Sequence, residues 1–471
     1  MSIFRKKSIE DLLKNGGSGG KGLKRELGAW DLTMLGIGAI IGTGIFVLTG
    51  TGAVNAGPAL SLSFVIAGLA CLFAALSYAE FAASVPVSGS TYTYAYATLG
   101  EFAAWIIGWD LILEYLLAVS AVSAGWSGYF QSFLSGFGIN FPEKLTAAPG
   151  SVEGVTTYMN LPAFLIVMAI TFLISIGTKQ TTRINNIMVV IKVLVVLLFI
   201  VSSIYYVKPE NWQPFMPFGI DGVFSTAALM FFAFIGFDAV ASAAEETRNP
   251  GRNLPRGILG SLVICVVLYM AVSLIMTGVV PYAQFSQALD HPISLVLQSA
   301  GQNWIAGIID LGAFLGMTTV ILVMLYGQTR IMFAMSRDGL MPKSLSKLHK
   351  KYKTPYAASW IFGLLAAFLG AFIPLGELAE LVNIGTLTAF TMISIAVIVL
   401  RKTRPDMKRA FYCPAVPLVP GLAIVFCVFL MVQLGSHTWM RFLIWMAIGV
   451  VIYFTYSRKH SNLSQQQENE H

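Results

Sequence analysis

Long apolar runs alternate along the chain with short polar connectors rich in Lys and Arg. A membrane-crossing helix needs about 20 mostly apolar residues. The chain offers twelve such segments: 30–55, 59–83, 101–133, 161–178, 185–207, 222–246, 257–280, 303–336, 356–374, 378–400, 414–434 and 439–457. The pattern predicts an all-α polytopic membrane protein with twelve transmembrane helices. Segments 101–133 and 303–336 are long enough to tilt or to extend into loops. Residues 1–29 lack an apolar core and are predicted as a cytoplasmic tail rather than a cleaved leader. Residues 458–471 include the polar stretch HSNLSQQQENEH and are predicted as a second, disordered cytoplasmic tail.

An even number of spans puts both tails on one side. That side carries 26 of the 30 Lys and Arg residues, and the other carries three, Lys144, Lys208 and Arg441. The asymmetry predicts cytoplasmic termini. It also accounts for the formal charge of +7 without a nucleic-acid partner. The remaining base, Lys192, lies inside a span.

Two spans are interrupted. The first contains GAIIGTGIF, Gly38 to Phe46, and the sixth contains FFAFIGFDAV, Phe231 to Val240. Taken as two five-span repeats, 30–207 and 208–400, with two further spans in 401–457, the halves each break in their first helix. Glycine-interrupted segments in matching positions point to a transporter site. Irregular backbone survives at membrane depth only where it lines a cavity. At Gly42, Thr43 and Gly44 a second half-helix would begin, with unpaired amides and a positive dipole end suited to a carboxylate. Carbonyls of Ile40 and Ile41, and of Phe232, Ala233 and Ile235, would suit an ammonium group. Together they fit a zwitterionic amino acid. Close helix packing by small residues is the competing account, strongest for Gly36 and Gly38.

Composition agrees: 56% of residues are hydrophobic and 11% charged. The four cysteines are scattered without metal-ligand or disulfide spacing. No HExxH or GxSxG motif suggests an enzyme, no soluble signalling domain is evident, and the spans are too apolar for a channel lining.

At these residues a resemblance emerges. GAIIGTGIFVLTG (Gly38–Gly50) resembles the first span of the amino acid–polyamine–organocation superfamily. The stretch from Ser77 to Tyr115, EETRNPGRNLPRGI (Glu245–Ile258) and SRDGLMPKSLSKLHKKYKTP (Ser336–Pro355) resemble its cationic amino acid transporter branch. The likeness runs from residue 25 to about 410. It implies a five-plus-five inverted repeat of leucine-transporter type, with discontinuous helices one and six. It also assigns Gly42, Thr43 and Gly44 to the carboxylate and the backbone of Ile40, Ile41, Phe232, Ala233 and Ile235 to the amine. Mammalian members of the branch have two more spans, so twelve suits the bacterial relatives.

A lysine inside a span costs roughly 2.5–3.5 kcal/mol and is a functional candidate. In sodium-coupled members of the fold a cation sits between spans one, five and eight. The resemblance makes Lys192, on span five, the proton carrier. The alternatives are a salt bridge, with Glu114 the candidate partner, or a snorkelling side chain. Glu114 is a candidate for substrate contact or a proton path, or else a plain buried hydrogen-bonded acid, and Asp110, four residues earlier, for plain solvation near the basic end. Glu80 and Glu101 suit an inner gate or solvation. Asp238 suits a helix cap or a gate, and Glu245 and Glu246 suit ionic latches. Asp310 has no assignment.

Phe232 and Phe234 are candidate lids over the substrate. A methionine on span eight, Met317 or Met324, would shrink the side-chain pocket. The expectation is a proton-coupled symporter importing a small neutral L-amino acid such as alanine. The alternative is a cationic amino acid or polyamine carrier, or an exchanger without proton coupling. The proton is the coupling ion, with no other cofactor or metal; the partners are substrate and membrane lipid.

Overall fold

The computed structural model describes residues 5–7, 27–84, 90–152, 154–177, 182–243, 247–352, 354–407 and 409–469. Every apolar segment carries helix. Among the described residues, seven helices are long and apolar enough to cross a membrane, and shorter apolar helices of 10–17 residues occupy the other apolar segments. Large apolar side chains face outward from the bundle, among them Leu194, Val201, Val267 and Val432. Trp30, Trp304 and Tyr205 are exposed at helix ends, where amphipathic rings favour a membrane–water boundary.

The first segment divides into α1 (Ala29–Ile40), α2 (Thr43–Phe46) and α3 (Leu48–Ala56). Next come α4 (Leu60–Ser84), α5 (Ser90–Thr98), α6 (Glu101–Ser135), α7 (Leu161–Ser175) and α8 (Thr182–Ser203). The sixth segment is α9 (Gly219–Met230), a 3₁₀ turn Phe231–Phe234 and α10 (Ala239–Ser242). Then follow α11 (Pro250–Val279), α12 (Pro292–Ser299), α13 (Asn303–Arg337), α14 (Tyr356–Phe372), α15 (Leu375–Thr403), α16 (Leu418–Gln433) and α17 (Ser436–Ile452). Short helices α18 (Arg458–His460) and α19 (Asn462–Asn469) close the chain.

Small residues set the closest helix approaches. A Cβ on Gly36 would sit 2.3 Å from Ser261 Oγ, so α1 lies against α11. A Cβ on Gly108 would sit 2.7 Å from the Met335 methyl, and one on Gly327 2.6 Å from the Tyr115 ring, so α6 lies along α13. Dispersion and packing, rather than the hydrophobic effect, hold helices together at such depths.

Several acids sit elsewhere than solvation would put them. Glu80 is buried at the end of α4, taking two hydrogen bonds from Arg401 at 2.9 and 2.8 Å, one from the Cys413 amide at 2.7 Å, and an ion pair with Arg409 at 3.1 Å. Glu101 is buried too, bonded by Tyr96, Tyr453 and Ser461 hydroxyls at 3.0, 3.1 and 2.6 Å. Asp110 is 1% exposed, and neither oxygen has a hydrogen-bond partner among the described residues. The 35-residue length of α6 puts Asp110 well inside the bundle against Gly385 of α15, which corrects its placement at a solvated end. Glu245 and Glu246 lie outside the described residues.

In the C-terminal tail, Arg458–His460 and Asn462–Asn469 are helical where disorder was expected. Ser461 reaches Glu101, and Asn462 bonds the backbones of Asp338 (3.1 Å) and Arg337 (2.8 Å). These tertiary partners supply the burial that the tail's composition lacks. Nearby, Lys7 pairs with Asp338 at 2.7 Å.

Candidate functional site

The helix of α1 ends where Ile41 turns extended (φ −72°, ψ 107°). The chain resumes with a first helical bond from the Phe46 amide to the Gly42 carbonyl, 3.2 Å. The amides of Gly42 to Ile45 therefore precede the ladder, at the positive end of the new half-helix. Opposite, α9 tightens to 3₁₀ geometry and the chain turns through Gly236 at φ +117°, a region that favours glycine.

The two breaks touch. A Cβ on Gly44 would lie 2.3 Å from Ala233 Cα, and one on Gly236 would lie 2.8 Å from the Ala39 carbonyl oxygen. Between them is a cavity lined by Ala39, Ile40, Gly42, Thr43, Gly44, Phe232 and Ile235, with Ala118 and Val122 of α6 and Val320 and Met324 of α13. It encloses about 20 Å³, room for little more than one water. An amino acid would fit there only if the breaks separated.

The structure sorts the sequence candidates. Phe232 lines the cavity, while Phe234 turns away against Phe64 and Tyr269 with centroids 6.2 and 5.2 Å apart. Met324 lines the cavity, while Met317 lies behind Thr43, accepting a hydrogen bond from its hydroxyl at 3.2 Å. Ile41 and Ala233 flank the cavity in sequence without lining it. Ile40 lines it, and its carbonyl already accepts from Tyr269 at 3.1 Å.

Lys192 is 1% exposed and donates to the Gly38 carbonyl of α1 at 2.7 Å. Its stem lies against Gly316 of α13, where a Cβ would come within 2.9 Å. Helices α8, α1 and α13 thus meet at this side chain. Among the described residues no ion pair joins Lys192 to Glu114, and burial excludes snorkelling. Glu114 instead lies close enough to Asp238 and Asp110 to interact with them electrostatically. Asp238 occupies the cap position of α10 without a side-chain cap bond, so capping does not explain it.

Sequence reasoning missed Asn383. Its amide donates to the Ala228 and Leu229 carbonyls at 2.8 and 3.1 Å, satisfying backbone at the end of α9 beside the break. A lone amide in an otherwise apolar run was the available signal.

The amino acid permease family model matches residues 27–454. The chain belongs to the amino acid permease family, within the amino acid–polyamine–organocation superfamily. This permease is 71% identical over 464 residues to the branched-chain amino acid permease of Bacillus subtilis, covering 98% of this chain and 99% of the relative. It is 54% identical over 465 residues to the methylthioribose transporter of the same bacterium, covering 98% and 100%. Human cationic amino acid transporter 4 is 30% identical over 567 residues, covering 94% and 89%. The permease is an amino acid transporter embedded in a membrane.

Proposed function

We propose that this permease imports neutral aliphatic L-amino acids, driven by a proton gradient. The observation that carries the reading is the contact of two helix breaks around an apolar cavity. The amides of Gly42, Thr43 and Gly44 bind the carboxylate. The backbone carbonyls of Ile40, Phe232 and Ile235, which line the cavity, bind the ammonium, joined by those of Ile41 and Ala233 once the breaks separate. The cavity walls carry no carboxylate among the described residues, so a cationic side chain would enter without a counter-charge. Phe232 acts as the lid, and Met324 limits side-chain volume. Alanine meets these limits. The 71% identity to a branched-chain permease supports the larger valine, leucine and isoleucine as preferred substrates.

Lys192 carries the coupling proton. Charged, it holds the Gly38 carbonyl and so holds α1 against α8 and α13. Neutral, it loosens that grip and favours the alternate conformation. The helices follow a five-plus-five inverted repeat, with spans one, two, six and seven rocking against three, four, eight and nine. Both termini are cytoplasmic in the bacterial inner membrane, where the basic connectors face inward. Glu114 and Asp238, on the basic side of the cavity, serve release toward the cytoplasm.

A competition panel in proteoliposomes under an imposed pH gradient tests the reading. Leucine, isoleucine and valine should compete best, alanine less well and arginine poorly. Arginine competing best would overturn the neutral-substrate reading. Methylthioribose competing best would overturn the amino acid reading. Uptake insensitive to the gradient would overturn coupling.

A further inference from the structure

The half-helix that begins at Gly42 is irregular one turn later. Val47 departs from ideal helix (φ −118°, ψ −56°), and the Gly50 amide bonds the Val47 carbonyl three residues back at 3.0 Å. The Phe46 carbonyl therefore loses the partner an α-helix would give it. Tyr129 of α6 supplies one: its hydroxyl donates to Phe46 O at 2.5 Å. The Tyr129 side chain is fully buried, and its ring meets Phe46 edge-on, centroids 6.0 Å apart and planes at 73°. One turn back along α6, Gly125 packs against Thr43, where a Cβ would lie 2.5 Å from Thr43 Cγ2. The same face of α6 thus grips both ends of the short α2.

We infer that Tyr129 is a positioning residue for substrate: its hydroxyl holds the Thr43–Phe46 half-helix against α6 and so aims the amides that bind the carboxylate. The half-helix cannot hold this geometry alone, because its own ladder is broken at Phe46 and an isolated single turn is unstable in itself. Tyr129 reaches neither the cavity nor the Lys192 contact, so its effect is confined to the carboxylate end. The proposal rests on the reading that these amides bind a carboxylate.

The test compares leucine with leucinamide, whose neutral carboxamide removes the anionic charge, as competitors of uptake. The wild type should prefer leucine strongly. Tyr129→Phe keeps the buried ring and removes only the hydroxyl. It should weaken leucine about tenfold, the scale of one buried hydrogen bond. Leucinamide should change by less than about twofold, and the maximal rate at saturating leucine by a similar factor. Unchanged leucine affinity, or an equal loss for both compounds, would overturn the inference. A wild type that does not discriminate the two would overturn the carboxylate reading beneath it instead. Should Tyr129→Phe not reconstitute, 3-fluorotyrosine placed at position 129 keeps ring and fold with a stronger donor. Leucine should then bind more tightly while leucinamide does not move, and no difference between them overturns the inference.

Discussion

The Lys192 ammonium is 2.7 Å from the Gly38 carbonyl, across 154 residues of sequence. The contact ties α8 to the half of α1 that ends at the first break, four residues before Gly42. Under the proposed function, proton loading at Lys192 and substrate binding at Gly42 would act on the same short segment. Replacing Lys192 by Ala should cut pH-gradient-driven uptake by at least about tenfold while leaving substrate counterflow measurable. Gradient-driven uptake at the wild-type rate would end the coupling proposal.

The two neighbouring glycines of the break should respond differently. A Cβ on Gly44 meets Ala233 Cα at 2.3 Å, which is backbone and cannot yield cheaply. A Cβ on Gly42 meets only Val320 Cγ2 at 3.5 Å, an ordinary contact, and its φ of −160° suits any residue. Gly44→Ala should lose about 1–3 kcal/mol of stability by overpacking and most of its uptake. Gly42→Ala should keep its fold. Thermal unfolding in detergent and uptake in vesicles read both, and equal behaviour of the two variants would count against close contact of the breaks.

Met324 and Met317 both lie on α13, but only Met324 lines the cavity. Met324→Ala should enlarge the pocket and raise competition by side chains larger than leucine about tenfold. Met317→Ala should alter the Thr43 contact without widening the range. Competition assays with phenylalanine and methionine separate these outcomes.

Glu80 joins α4 to Arg401 and Arg409 with 2% of its side chain exposed. Removing one partner of a buried pair leaves uncompensated charge and costs about 3 kcal/mol or more. Glu80→Gln should therefore lower the unfolding midpoint clearly, whereas Glu377→Gln, whose pair with Arg441 is half-exposed, should barely move it. Similar midpoints for the two variants would refute a structural role for Glu80.

Asp290 and His291 stand immediately before α12 and pair at 2.7 Å. Burial pushes the His291 imidazole down, but the Asp290 carboxylate beside it, and Asp310 further off, raise it overall. Burial pushes Asp290 up, but the His291 charge and hydrogen bonds outweigh it and lower it overall. The histidine's contribution is complete below its unfolded value near ~6.5 and fades as pH rises through the raised one. The aspartate's is complete above ~3.9 and fades as pH falls through the lowered one. The segment leading into α12 should be most protected from hydrogen exchange between about pH 4 and 6.5. Protection that rises steadily above that window would contradict the pair.

The sequence by itself determined the helical segments, the segregation of basic connectors, the two breaks and the lysine inside a span. Each is a local property: apolar runs make spans, glycine permits a break, and an unshielded charge at depth is costly enough to stand out. The tertiary structure alone decided partners. Lys192 chose the Gly38 carbonyl over Glu114, Phe232 rather than Phe234 took the cavity, and Met317 turned behind Thr43. Glu80 and Glu101 became buried network centres, and the polar tail folded onto Glu101. Tyr129 and Asn383, which mend backbone beside the two breaks, do so across 83 and 155 residues. Hydropathy and spacing carry one helix at a time, whereas these contacts depend on how helices distant in sequence rotate against each other when packed.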